Sequence, residues 1–143
     1  GFSAPRWRRM VDAALRAASP AAPAAIHGSD RDAGAIAAAR DNADRAGVAA
    51  DISFTQQPLA SVQLPENPGW IVTNPPYGVR VGHRDTARDT YAQLARLLGT
   101  GARDWHAVMM LADRSLGKET GIALRRLLRT ANGGIPVDVV ARA

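Results

Sequence analysis

Apolar positions recur in two rhythms along this chain. Over residues 5–18, Trp7, Met10 or Val11, Ala14 and Ala18 return at helical spacing, which predicts an amphipathic helix. Ser3 suits its cap, Pro5 its first turn and Ser19-Pro20 its end. Residues 21–25 read as a small, proline-broken linker. Residues 24–28 read as a short strand that Gly28-Ser29-Asp30 ends. A helix follows from near Asp32, with Ile36, Ala39, Ala43 and Ala46 on one face and Gly47 closing it. Residues 52–55 alternate apolar and polar side chains, the strand rhythm, until Gln56-Gln57-Pro58 breaks it.

A loop holding Pro65 and Pro68 leads to Trp70-Ile71-Val72, which reads as a buried strand. Residues 85–98 predict a helix with Tyr91, Leu94, Ala95 and Leu98 on one face and Gly99 at its end. Residues 105–111 are mostly apolar and of strand length, as suits a central strand covered on both faces. Residues 113–121 form a short polar stretch of one or two helical turns. Residues 125–129 and 135–140 flank Ala131-Asn132-Gly133-Gly134, and Asn-Gly between β-favouring runs signals a hairpin. Strands alternating with helices and finishing in an antiparallel pair predict an α/β fold: a mostly parallel sheet with a C-terminal hairpin at its edge.

Composition narrows the function classes. The chain has 143 residues, 46% hydrophobic and 22% charged, enough for one domain with a real core. It contains no cysteine, which excludes disulfides, thiolate metal sites and a cysteine nucleophile, and suits a cytoplasmic protein. His27, His83 and His106 follow no zinc spacing, so no metal is expected. No apolar run approaches the length of a membrane span. The net charge of +5 favours a polyanionic partner only weakly, because Lys118 is the single lysine and the arginine excess fits a coding bias. Arg6, Arg8 and Arg9 suit a solvated helix face.

The chemistry concentrates after residue 72, in Thr73-Asn74-Pro75-Pro76-Tyr77-Gly78. Each proline fixes its own φ, removes a donor and restricts the residue before it, so a stiff extended loop follows the strand. It presents the Asn74 amide, free carbonyls and the Tyr77 ring. That set suits a flat substrate with an exocyclic amine: the Asn74 side-chain oxygen and the Pro75 carbonyl can accept from the amine, and the ring can stack on the base. The same residues equally suit a plain turn after a strand. Arg80 and Arg84 add positive charge beside the loop. Asp30, at a strand tip before a helix, stands where nucleoside-binding α/β folds place a ribose ligand, and also where a helix cap is needed.

In chain order, Gly28-Ser29-Asp30-Arg31-Asp32 with Ala38-Ala39-Arg40-Asp41-Asn42-Ala43, then Asn74-Pro75-Pro76-Tyr77, then the Asn132-Gly133-Gly134 hairpin resemble one family. It is that of the THUMP-associated RNA guanine-N2 methyltransferases, whose members act on ribosomal or transfer RNA and are often labelled N6-adenine-specific DNA methylases. The resemblance covers residues 24–143. It implies a Rossmann-like class I methyltransferase sheet, S-adenosylmethionine as cofactor and structured, ribosomal RNA as partner. It assigns Asp30, with Ser29 beside it, to the cofactor ribose. It assigns Asn74, Pro75, Pro76 and Tyr77 to catalysis, with Asn74 also facing the cofactor.

Two departures stand out. Pro58 occupies the place of an acidic residue that the family keeps near the cofactor adenine, and neither Gln56 nor Gln57 restores the charge. The family's first strand and glycine-rich loop belong before Phe2. The chain therefore reads as one partial methyltransferase domain over residues 1–143, inactive by itself. The same loop also serves adenine N6 in DNA or a glutamine amide in protein, and a non-catalytic RNA-binding module can keep the motif.

Overall fold

The computed structural model describes residues 2–77 and 84–143, and the chain divides into two compact units, Gly1–Gln56 and Gln57–Ala143. The first holds α1 (Ala4–Ala17), β1 (Ile26–Asp30), α2 (Ala33–Ala46) and β2 (Ile52–Gln56). β1 and β2 pair in parallel, from Ile26 opposite Ile52 to Asp30 opposite Gln56. The ladder carries β1 two residues further than its apolar pattern indicates, so Ser29 and Asp30 lie within the strand rather than beyond it. Gly28 faces Phe54, and a Cβ there would stand 2.8 Å from the ring, so the ring fills the space of the absent side chain.

α2 forms where the sequence places it. Asp32 caps it by accepting from the Ala35 N–H at 2.7 Å, and Gly47 ends it at φ +73°. Arg40 ties it to β2 by donating to the Phe54 carbonyl at 3.0 Å. Ile36 and Ala43 are its buried residues. α1 forms over the expected span, but the Ser3 side chain makes no capping hydrogen bond and the helix buries none of its residues. Periodicity tells which face of a helix is apolar, and a neighbour must still cover it.

The second unit holds β3 (Trp70–Thr73), α3 (Arg84–Arg96), β4 (His106–Leu111), α4 (Arg114–Lys118), β5 (Leu124–Asn132) and β6 (Ile135–Arg142). Its sheet runs β3-β4-β6-β5. β3 and β4 are parallel, with Thr73 opposite Met109. β6 runs antiparallel to β4, with Leu111 opposite Asp138, and β5 antiparallel to β6. Tyr91 and Leu98 pack on Ala107, Met109, Leu111, Leu116 and Val140 to form the core. A wide turn, Leu97–Gly101, follows α3, and Arg142 donates to the Leu98 and Ala102 carbonyls around it at 3.3 and 2.6 Å.

Two burial expectations are corrected. Trp70 and Val72 are 64% and 75% exposed, and of their strand only Ile71 packs against the core. In β4, Ala107, Met109 and Leu111 are buried, but His106 is exposed and Val108 and Met110 are half-buried. The reason is one-sided cover: core residues of α3 and α4 meet the face of Met109 and Leu111. On the face of Trp70 and His106, those two rings stack on each other at 4.5 Å.

Candidate functional site

β3 delivers the loop that follows it to the carboxyl end of a parallel pair. There Asn74 is exposed, Pro75 buried, Pro76 exposed and Tyr77 half-buried. Pro75 thus anchors the loop and leaves the amide before it free to face outward. The Tyr77 hydroxyl accepts a hydrogen bond from Asn132 Nδ2 at 2.7 Å. Asn132 is the last residue of β5, opposite Ile135. The sequence suggests an Asn-Gly turn, yet the positive φ angles fall on Gly133 and Gly134, at +56° and +81°. Asn132 therefore stays in the ladder, and its side chain is available to Tyr77. Nothing local in the sequence signals this pair, because its members stand 55 positions apart. Gly78, Arg80 and His83 lie outside the described residues, as does the side chain of Arg84.

Tyr91 of α3 is fully buried in the core of this unit, with a hydroxyl that has no hydrogen-bond partner among the described residues. Burial first, then the charges of Tyr77 and Asp113, push its pKa up to about 12. It keeps its proton throughout the neutral range.

In the first unit, Asp30 is exposed and ends β1. Its Oδ1 accepts from the Asp32 N–H at 2.9 Å, which orients the carboxylate, while the capping of α2 falls to Asp32. Ser29 is exposed and pairs with Thr55. Gln56, opposite Asp30, spends its side-chain amide on the Arg31 carbonyl at 3.3 Å. Pro58 is exposed and opens a short 3-10 turn, Leu59–Ser61. The structure thus groups Asn74, Pro75, Pro76 and Tyr77 with Asn132 in one unit, and Ser29 with Asp30 in the other.

An ion cluster that sequence reading missed lies on β5, β6 and α4. Asp138 is 7% exposed. Its Oδ2 accepts from Arg114 Nε at 2.8 Å, while Arg126 Nη1 and Arg129 Nε stand 3.8 and 4.0 Å from Oδ1. Oδ1 itself receives no hydrogen bond among the described residues. The Arg114 hydrogen bond holds the carboxyl below its usual range against the opposing effect of burial, helped by the charges of Arg114, Arg126 and Arg129.

Among the described residues, no helix is long and apolar enough to cross a membrane, and no group of three or more acidic, histidine or cysteine side chains is placed to hold a metal. Residues 3–136 match the UPF0020 family, described as RMKL-like, methyltransferase domain. The chain is similar to a ribosomal RNA large subunit methyltransferase K/L of Marinomonas sp. (strain MWYL1), at 33% identity over 90% of this chain and 19% of that protein. It spans less than a fifth of the length of the curated relatives it matches first. Its fold is similar to those of a possible methylase from Clostridium difficile 630 and of SMU.472 complexed with SAH. Each gives a TM-score of 0.78 over 99% of this chain and 37% of the other, at 24% and 21% identity.

Proposed function

This chain belongs to the UPF0020 family of RMKL-like methyltransferase domains, and from that premise we propose that it is part of an enzyme that methylates an exocyclic base amine in RNA. The substrate on this reading is ribosomal RNA, the acceptor guanine N2, and the cell compartment the cytoplasm. The observation that carries it is the loop after β3, where exposed Asn74 stands beside buried Pro75 and a tethered Tyr77.

An exocyclic base nitrogen is a poor nucleophile because its lone pair is delocalised into the ring. Asn74 Oδ1 and the Pro75 carbonyl accept its two hydrogens, favour a pyramidal nitrogen and aim the lone pair outward. Tyr77 stacks on the base, and the bond from Asn132 limits how its ring turns. Asp30 and Ser29 would hold the cofactor. An exposed carboxylate at a strand tip matches a pair of ribose hydroxyls, so the residues present fit S-adenosylmethionine. When bound, that cofactor supplies an electrophilic methyl group carried on a sulfonium. Gln56 and Pro58 offer no carboxylate for its adenine, so the ribose contact bears more of the binding.

The test is a labelled-methyl assay of the intact protein on RNA, DNA and protein substrates, with Asn74→Ala beside the native enzyme. The variant is expected to fold normally and to lose roughly 10²-fold or more in rate. Near-native turnover in the folded variant would sink the assignment, and preferred labelling of DNA adenine would move the substrate from RNA to DNA.

A further inference from the structure

Arg114, Arg126 and Arg129 form a charge arrangement that the fold does not require. A buried carboxylate needs one well-placed cation, and Arg114 supplies it at 2.8 Å. Two further guanidiniums approach the same carboxylate at 3.8 and 4.0 Å, too far for good hydrogen bonds. Three positive charges around one negative leave a surplus of two. The three side chains are 66%, 49% and 70% exposed, so each remains open to solvent while it approaches Asp138. A cavity of about 210 Å³ opens there, lined by Leu111, Ala112, Arg114, Arg129, Val137 and Asp138.

The sheet register places this cluster. Thr73 lies opposite Met109, and Leu111, two residues further along β4, lies opposite Asp138, which in turn faces Arg129. The arginines therefore stand at the end of the sheet from which Asn74 and Tyr77 project. Arg129 is three residues before Asn132 on one strand, about 10 Å of extended chain, and this odd spacing puts their side chains on opposite faces of β5, so a strand of RNA would have to pass over the hairpin end of the sheet to meet both.

We infer that Arg114, Arg126 and Arg129, gathered on Asp138, clamp a backbone phosphate of the RNA whose base reaches Tyr77. The inference rests on the RNA reading given above. A guanidinium fork matches phosphate oxygens in two-point contacts, and Asp138 holds the forks together against their own repulsion. A strand entering along β5 would then be fixed by its backbone near the base that is read.

The experiment measures binding of a short fluorescein-labelled single-stranded RNA to the intact protein across a range of salt. For Arg126→Gln with Arg129→Gln, the dissociation constant should rise about tenfold or more at low salt. The slope of log affinity against log salt should flatten by about 0.7 for each phosphate no longer neutralised. The paired Arg→Lys variants, which keep charge and lose the fork, should restore the slope and only part of the affinity. A folded double variant with native slope and affinity overturns the clamp, even where its melting temperature falls. If the double variant fails to fold, Arg126→Gln alone is read in the same way, and a native slope there overturns it equally. A methyl assay on the same preparations keeps the two ideas apart. No transfer to RNA by the native enzyme defeats the proposed function, while the salt slope still decides the phosphate contact.

Discussion

Within Gly1–Gln56 the described core consists of Ile36 and Ala43, whereas Gln57–Ala143 packs Tyr91, Leu94, Leu98, Met109 and Leu116 nearly out of reach of water. Both units use parallel strands joined through a helix. The second adds two antiparallel strands and a second helix on the same face, which close over the apolar side of α3. The first has only α2 against its two strands, with α1 burying nothing. A shared strand–helix grammar therefore says little about where stability resides. That depends on how many elements meet at one face.

The sharpest way to break this comparison is to cut both units at an apolar residue. Leu98→Ala should cost about 3 kcal/mol, because a fully buried side chain leaves a cavity. Leu15→Ala, at a site 69% exposed, should change stability by no more than about 0.5 kcal/mol. Urea unfolding of the intact protein measures both. A cost at Leu15 approaching that at Leu98 would mean that something covers α1 in the whole protein.

A smaller effect contrasts the chemistry of the two units. Asp30→Ala should weaken S-adenosylmethionine binding about tenfold or more, since charge-assisted hydrogen bonds are the strong ones. Asn74→Ala should instead act mainly on the rate of transfer, with a smaller loss of cofactor affinity than Asp30→Ala. Calorimetric titration separates the two. An unchanged dissociation constant at Asp30 would leave it only the task of holding the Asp32 N–H.

The smallest effect concerns acid. Asp138 has a lowered pKa in the native state, so its contribution is complete above the unfolded value of about 3.9 and is lost as pH falls through the native one. Melting temperatures of the native protein should therefore drop more steeply below about pH 4 than those of Asp138→Asn. Parallel curves for the two would show that the carboxylate adds nothing specific to acid sensitivity.

Much of this arrangement was legible in the sequence because it is local. The Pro-Pro loop, the cap at Asp32, the Gly47 stop and the closing hairpin each rest on a few adjacent residues. What escaped depends on partners. The apolar run Trp70-Ile71-Val72 gives no sign that Trp70 and Val72 stay exposed. The end of β1 is set by Gln56 across the ladder, not by Gly28. Asp138 reads as a polar position in a strand until Arg114, 24 residues away, turns towards it. The Tyr77–Asn132 pair is the extreme case, bridging a loop and a hairpin that share no sequence neighbourhood.

The hairpin turn bears on mutational tolerance at the loop after β3. Gly133 and Gly134 both adopt left-handed backbone, which other residues enter only with strain. A side chain at either position would press the turn to migrate towards Asn132, the residue best able to take over a positive φ. Asn132 would then leave the ladder and release Tyr77. On the proposed function, Gly133 and Gly134 thus belong to the constraint set of the Tyr77 loop, and substitutions there should read as loss of function in a screen even though the hairpin still forms.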